Sequence, residues 1–189
     1  MFEQVIAGTI IVSVIGTIIA LYNSIVSEHK SVQQSWDDVI VIERQRMRIL
    51  PELEKVLNEH KLFESDVFKK IAALRNSVEQ LDGKEIEPSR CSEVSNVSEQ
   101  LMQSLRFVSE SYPELKASES FSKNMAEIVN QEEHVGAALR VFNQNVAIFN
   151  TRIESFPSNM VNGVLNKKKP VDNFVDESAS GSFGYSPNL

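Results

Sequence analysis

The sequence predicts an all-α protein: an N-terminal transmembrane helix that continues into an antiparallel up-down four-helix bundle with two long and two short helices. Three observations carry that prediction. The stretch from Gln4 to Ser27 contains no charged side chain. Beyond it, apolar residues recur at steps of three and four along four separate segments, the spacing of one helix face. The seven glycines and six prolines fall mostly late in the chain, which leaves long runs without a helix breaker.

The anchor comes first. Residues 5–22 supply 18 mostly apolar positions, close to the roughly 20 that a helix needs to cross a ~30 Å hydrocarbon core. A helix satisfies its own backbone hydrogen bonds, so it is the one single-segment structure that lipid tolerates. Thr9, Ser13 and Thr17 are compatible with it, because their hydroxyls can bond back to carbonyls within the helix. Tyr22 stands at the edge of the apolar run, where interfacial aromatics belong. A cleaved signal peptide would start with a basic segment. Residues 1–4 instead carry Glu3 and no Lys or Arg, so the helix is read as retained.

Residues 23–157 make up the helical domain. Val32, Trp36 and Val39, then Leu50, Leu53 and Leu57, share one helical register, with Glu43 and Arg46 as its polar members. Pro51 falls inside this pattern and should bend or locally break a helix that otherwise runs to about His60. The second helix carries Val67, Ile71, Leu74, Val78 and Leu81. Residues 81–90, with Gly83 and Pro88, form the clearest internal loop. The third helix carries Val94, Val97, Leu101, Leu105 and Val108, and Tyr112-Pro113 ends it. Ser118 is suited to cap the fourth, which runs from Phe121 to Phe156 with Glu132 as its one polar seam position. At 1.5 Å per residue, the first helix beyond the anchor and the fourth each reach roughly 55 Å, and the middle two about half that. From residue 158 to 189 there is no apolar periodicity, and a mostly disordered tail is expected.

Composition narrows the function classes. A net charge of −7 argues against a nucleic-acid partner, whose phosphates would have to meet clustered Lys and Arg. The single cysteine, Cys91, makes no internal disulfide; it is expected near an exposed loop as a bystander thiol. No phosphate-cradling loop, nucleophile elbow or HExxH pattern occurs. A di-iron site in a helical bundle needs Glu-x-x-His pairs. The residues three before His29, His60 and His134 are Val26, Leu57 and Gln131, so no such pair exists. No catalytic, cofactor-binding or metal residues are assigned. What remains is a polar layer. Counting residues from the membrane places Arg46, Arg75 and Glu132 at one height, with Glu43 about one turn below and Arg140 about two turns below Glu132. Such a layer either fixes helix register as buried ion pairs or forms a ligand site.

These residues also carry a resemblance. The chain resembles the LemA family of bacterial membrane-anchored helical proteins. The likeness begins at Tyr22-Asn23 and runs through residues 32–57, with Trp36, Arg44, Arg46 and Leu50-Pro51 at characteristic positions. It continues with Leu74-Arg75, the Tyr-Pro-x-Leu-Lys-Ala segment from Tyr112, Glu132, and residues 140–159. Phe142, Arg48, Glu52 and Ile40 depart from the family's usual residues, three of them on the first helix. The resemblance implies a helical bundle behind one N-terminal span in a bacterial cytoplasmic membrane, and it implies no biochemical activity.

The resulting expectation is a membrane-tethered, non-enzymatic interaction or scaffold protein. Its partners would be the lipid bilayer through residues 5–22, an unidentified membrane or envelope protein, and a second copy of itself. The alternative is a small-ligand sensor or enzyme using the Arg46, Arg75 and Glu132 layer. Positive charge follows the anchor at Lys30 and none precedes it, which places the N-terminus outside and the bundle in the cytoplasm.

Overall fold

The computed structural model describes residues 1–60, 65–81 and 85–175, and all the regular structure among them is helical. The first helix, α1 (Phe2–Arg46), runs without interruption for 45 residues and has two halves of different character. No side chain from residue 1 to residue 20 is covered by the rest of the chain, although most are apolar. Thr9 and Thr17 donate their hydroxyls to the carbonyls of Val5 and Ser13, so both are satisfied within the helix. Among the described residues this is the one helix long and apolar enough to cross a membrane. Beyond it, Ile25, Val32, Trp36, Val39 and Ile40 turn one face into the protein core.

The bend expected near Pro51 is an interruption just ahead of it. α1 stops at Arg46, and the amides of Arg48 and Ile49 bond to the carbonyls of Gln45 and Arg46 in a tighter turn. α2 (Leu50–Glu59) then starts with Pro51 in its first turn. Proline has no N–H for the Met47 carbonyl and its ring crowds that carbonyl, so the continuous ladder cannot pass through this point.

α3 (Ser65–Glu79) and α4 (Pro88–Ser111) form a hairpin whose ends are fixed by polar contacts. Lys70 donates to Asp66 and to Ser104, and Arg90 reaches the Gln80 carbonyl. Residues 82–84, including the expected loop glycine at Gly83, lie outside the described residues. Tyr112 is extended ahead of Pro113 and ends α4, as the sequence leads one to expect. A single helical turn, α5 (Pro113–Lys116), follows and buries Leu115. Ser118 caps α6 (Glu119–Glu154), accepting a hydrogen bond from the Phe121 amide.

α6 is the structural spine of the domain. Its stripe of Phe121, Ile128, Val135, Leu139, Phe142, Val146, Phe149 and Ile153 is buried, and α1 lies along it. The two run antiparallel: Glu28 pairs with Arg152, Ser31 with Asn145, and Arg46 approaches Glu132. Trp36 and Phe142 meet with ring centroids 5.2 Å apart, and His29 tilts against Phe149 at the same separation. α2 also touches α6.

Residues 158–175 depart from the mostly disordered tail expected over 158–189. A short helix, α7 (Ser158–Val161), and a wider π-type turn over Asn162–Asn166 pack against α1. Lys167 then adopts a left-handed conformation, and the chain doubles back as an extended strap along α6. The strap is held by side-chain amides rather than by apolar periodicity, so a search for periodic apolar residues finds no order there. Residues 176–189 lie outside the described residues.

Candidate functional site

Buried Glu43, Arg46 and Ser98 meet where α1 ends. Glu43 and Arg46 are three residues apart, a spacing that puts both on one helix face. Their side chains are 3% and 2% exposed, and Arg46 Nη2 lies 2.7 Å from Glu43 Oε2. Arg46 Nη1 donates to Ser98 Oγ on α4 at 3.0 Å, and Ser98 Oγ donates on to Glu132 Oε1 on α6 at 3.1 Å. The direct Arg46–Glu132 separation is 3.9 Å. This chain of contacts ties the α3–α4 hairpin to the α1–α6 pair through polar groups.

The Glu43–Arg46 contact is close but poorly aligned for an N–H···O bond. Glu43 Oε2, Arg46 Nε and Arg46 Nη2 are buried without a hydrogen-bond partner. Burial pushes the Glu43 carboxyl above its ordinary value, opposed by the neighbouring Arg46 and reinforced by the Glu132 charge. The cluster sits at the floor of a cleft of about 490 Å³, whose walls include Cys91, Glu99, Arg140, Asn143 and Phe174. Glu132 stands at its opening with 42% of its side chain exposed.

The structure joins three of the residues picked out by counting heights. Glu43, Arg46 and Glu132 form the cluster, and Arg140 lines the same cleft. Arg75 does not belong to it: its guanidinium pairs with Glu54 of α2 at 3.4 Å and is 40% exposed. Height along a helix says nothing about direction around it. Leu74 and Val78 point into the core, and Arg75 is turned about 100° from Leu74. Ser98, which carries the bridge, went unpredicted, and the strap brings Phe174 over the cleft where a solvated tail was the favoured expectation. Periodicity signals neither, because a buried serine breaks the apolar pattern without announcing a partner.

Cys91 also differs from expectation. It faces the cleft at 3% exposure rather than lying open beside a loop. Burial, with a smaller contribution from the Glu43 charge, pushes its thiol up to about 12. It is therefore a protonated thiol at neutral pH and a weak nucleophile. Among the described residues no group of three His, Cys, Asp or Glu side chains is placed to hold a metal ion.

Comparison with known proteins accounts for most of the chain. The model of the LemA family matches residues 35–181. The chain belongs to the LemA family. A relative, Protein LemA of Metamycoplasma hominis, is 27% identical over 139 residues. That match covers 74% of this chain and 62% of the relative, so the chain spans less than two thirds of the relative's length. The matched region includes Trp36, Glu43, Arg46, Glu132 and the strap, and begins after the apolar half of α1.

Proposed function

We propose that this LemA family protein is a membrane-tethered, non-enzymatic interaction module. Residues 5–22 act as a single-pass anchor, and the domain behind it is an up-down four-helix arrangement that presents its surfaces to another membrane or envelope protein, or to a second copy. One observation carries the reading: the uncovered apolar half of α1 continues without a break into the half that packs on α6. A rigid helix of this kind fixes the height and orientation of the domain at a bilayer. The Asn166 side chain donates to the Tyr22 carbonyl, which sets Lys167, Lys168 and Lys169 beside the end of the apolar segment. Anionic lipid on the cytoplasmic face would attract those lysines, which supports a cytoplasmic domain and an outside N-terminus.

Carbonate-washed membranes should retain the full chain, and a version beginning at Asn23 should be released. Equal extraction of both would overturn the anchor. For orientation, protease added to intact cells, with any outer membrane permeabilised, should leave the domain uncut.

A second reading is favoured by the cleft. A buried Glu43–Arg46 pair that opens to solvent at Glu132 supports a small-ligand site in this layer. Saturable binding of a polar metabolite, abolished by Glu132→Gln while the helical content is unchanged, would favour this reading over the scaffold.

A further inference from the structure

The strap is bound to the domain in a regular way. Asn162 accepts from the Lys168 amide and donates to the Lys168 carbonyl, both at 3.0 Å. Asn150 treats Val171 identically, at 3.0 and 2.8 Å, and Asn143 treats Phe174 identically, at 2.8 and 2.9 Å. Every third residue of the strap is thus gripped by one asparagine amide, which offers an acceptor and a donor together as a neighbouring β-strand would. Two periodicities coincide to make this work. Asn143 and Asn150 are separated by about 10.5 Å along α6, and three residues of extended chain cover about 10 Å. Ser92 of α4 adds a bond to the Val175 carbonyl from the other side.

The recognition is almost wholly of backbone. Val171 and Phe174 are half-buried against the core, whereas Asp172, Asn173 and Val175 face solvent. Any extended segment with an apolar residue followed three positions later by an aromatic would meet the same groups. Asn143 and Asn150 are half-buried and Asn162 is buried, and each of these bonds contributes a modest net stability. The covalent tether adds a high local concentration that favours the strap over a free peptide making the same bonds.

We propose that the asparagine-lined face of α6 and the π-type turn is a docking groove for an extended peptide of a partner protein, carrying an apolar residue and an aromatic three positions later, which displaces the chain's own strap. This names the surface through which the interaction module acts and so rests on that reading. The test below reads groove occupancy and carbonate extraction reads the anchor, so each can fail alone.

The probe is a fluorescent, N-acetylated peptide PVDNFVD, the sequence of residues 170–176. It is titrated into the detergent-solubilised full chain and into a chain ending at Lys169. The shortened chain should bind it saturably, and the full chain at least tenfold more weakly because the strap competes. Asn143→Asp with Asn150→Asp should weaken binding to the shortened chain at least tenfold. The same loss should follow from N-methylation of the peptide at the positions of Val171 and Phe174, which removes the donors without touching the protein. A shortened chain of unchanged helical circular dichroism that binds no peptide would overturn the groove, as would equal binding of the N-methylated peptide. A full chain that takes no peptide even at one hundred times the shortened chain's Kd would show the strap to be permanent and overturn the exchange. Sedimentation of the full chain as two copies, lost on removing the strap, would give the groove to a second copy and overturn the partner.

Discussion

The two faces of α6 hold their neighbours by opposite means. Toward α1, Phe142, Val146 and Phe149 pack against Val32 and Trp36 in a continuous apolar seam. Toward the strap, Asn143 and Asn150 make four hydrogen bonds to two backbone residues, with only Val171 and Phe174 packed on the core. Apolar burial is strong and non-directional, so the first face supplies stability and tolerates small shifts. Hydrogen bonds are directional and weak in net terms, so the second face sets register and is the one the proposed peptide would exchange on. A helix that needs both a permanent and a reversible neighbour can present them on two sides.

The contrast breaks most visibly at the seam. Phe142→Ala removes a fully buried ring and should destabilise the protein by about 3–5 kcal/mol, read as a shift in urea midpoint. A smaller loss would mean that the seam closes over the gap. The polar cluster inside that face comes next. Arg46→Ala leaves Glu43 buried without its cation and should cost about 3–5 kcal/mol. Glu132→Ala should cost about 1 kcal/mol, because its carboxylate already meets solvent. Equal costs for the two would show that Glu132, rather than Glu43, is the counter-charge.

Alkaline pH probes the cleft between the faces. The native Cys91 thiol keeps its proton up to about pH 12, while the unfolded thiol loses it above 9.0. A raised native value means that the folded state binds more protons, so stability falls as pH rises through this window, by about 1.4 kcal/mol per pH unit. Cys91→Ala should flatten that dependence in urea titrations at pH 9 to 11.

On the strap side, Asn150→Ala removes two part-buried hydrogen bonds to Val171 and should cost about 1–3 kcal/mol. It should nevertheless speed amide exchange at Val171 and Phe174 selectively, while the core amides of α6 hold. Uniform acceleration along α6 would mean that the strap is part of the permanent fold. The smallest effect belongs to a pair away from both faces: Arg75→Ala should change stability by less than about 1 kcal/mol, as its partner Glu54 is also partly exposed.

What the sequence determined by itself is the helical layout. Charge-free residues 5–22, the stripes at steps of three and four, Ser118 as a cap and Pro113 as a stop each act within one turn of chain, so their consequences are local and readable. The break before Pro51 was legible for the same reason, because a missing N–H and a crowded carbonyl involve only neighbours four residues apart. The tertiary structure alone decided which polar groups meet. Arg75 has the right height but the wrong direction, and Ser98 joins Arg46 to Glu132 across 52 and 34 positions of sequence. The strap is the clearest case. Asn143 and Asn150 look like ordinary polar positions, and the residues they hold lie 31 and 21 positions away in a stretch with no apolar rhythm. Periodicity records burial. A directional bond between a helix side chain and a distant extended backbone leaves no period in either partner.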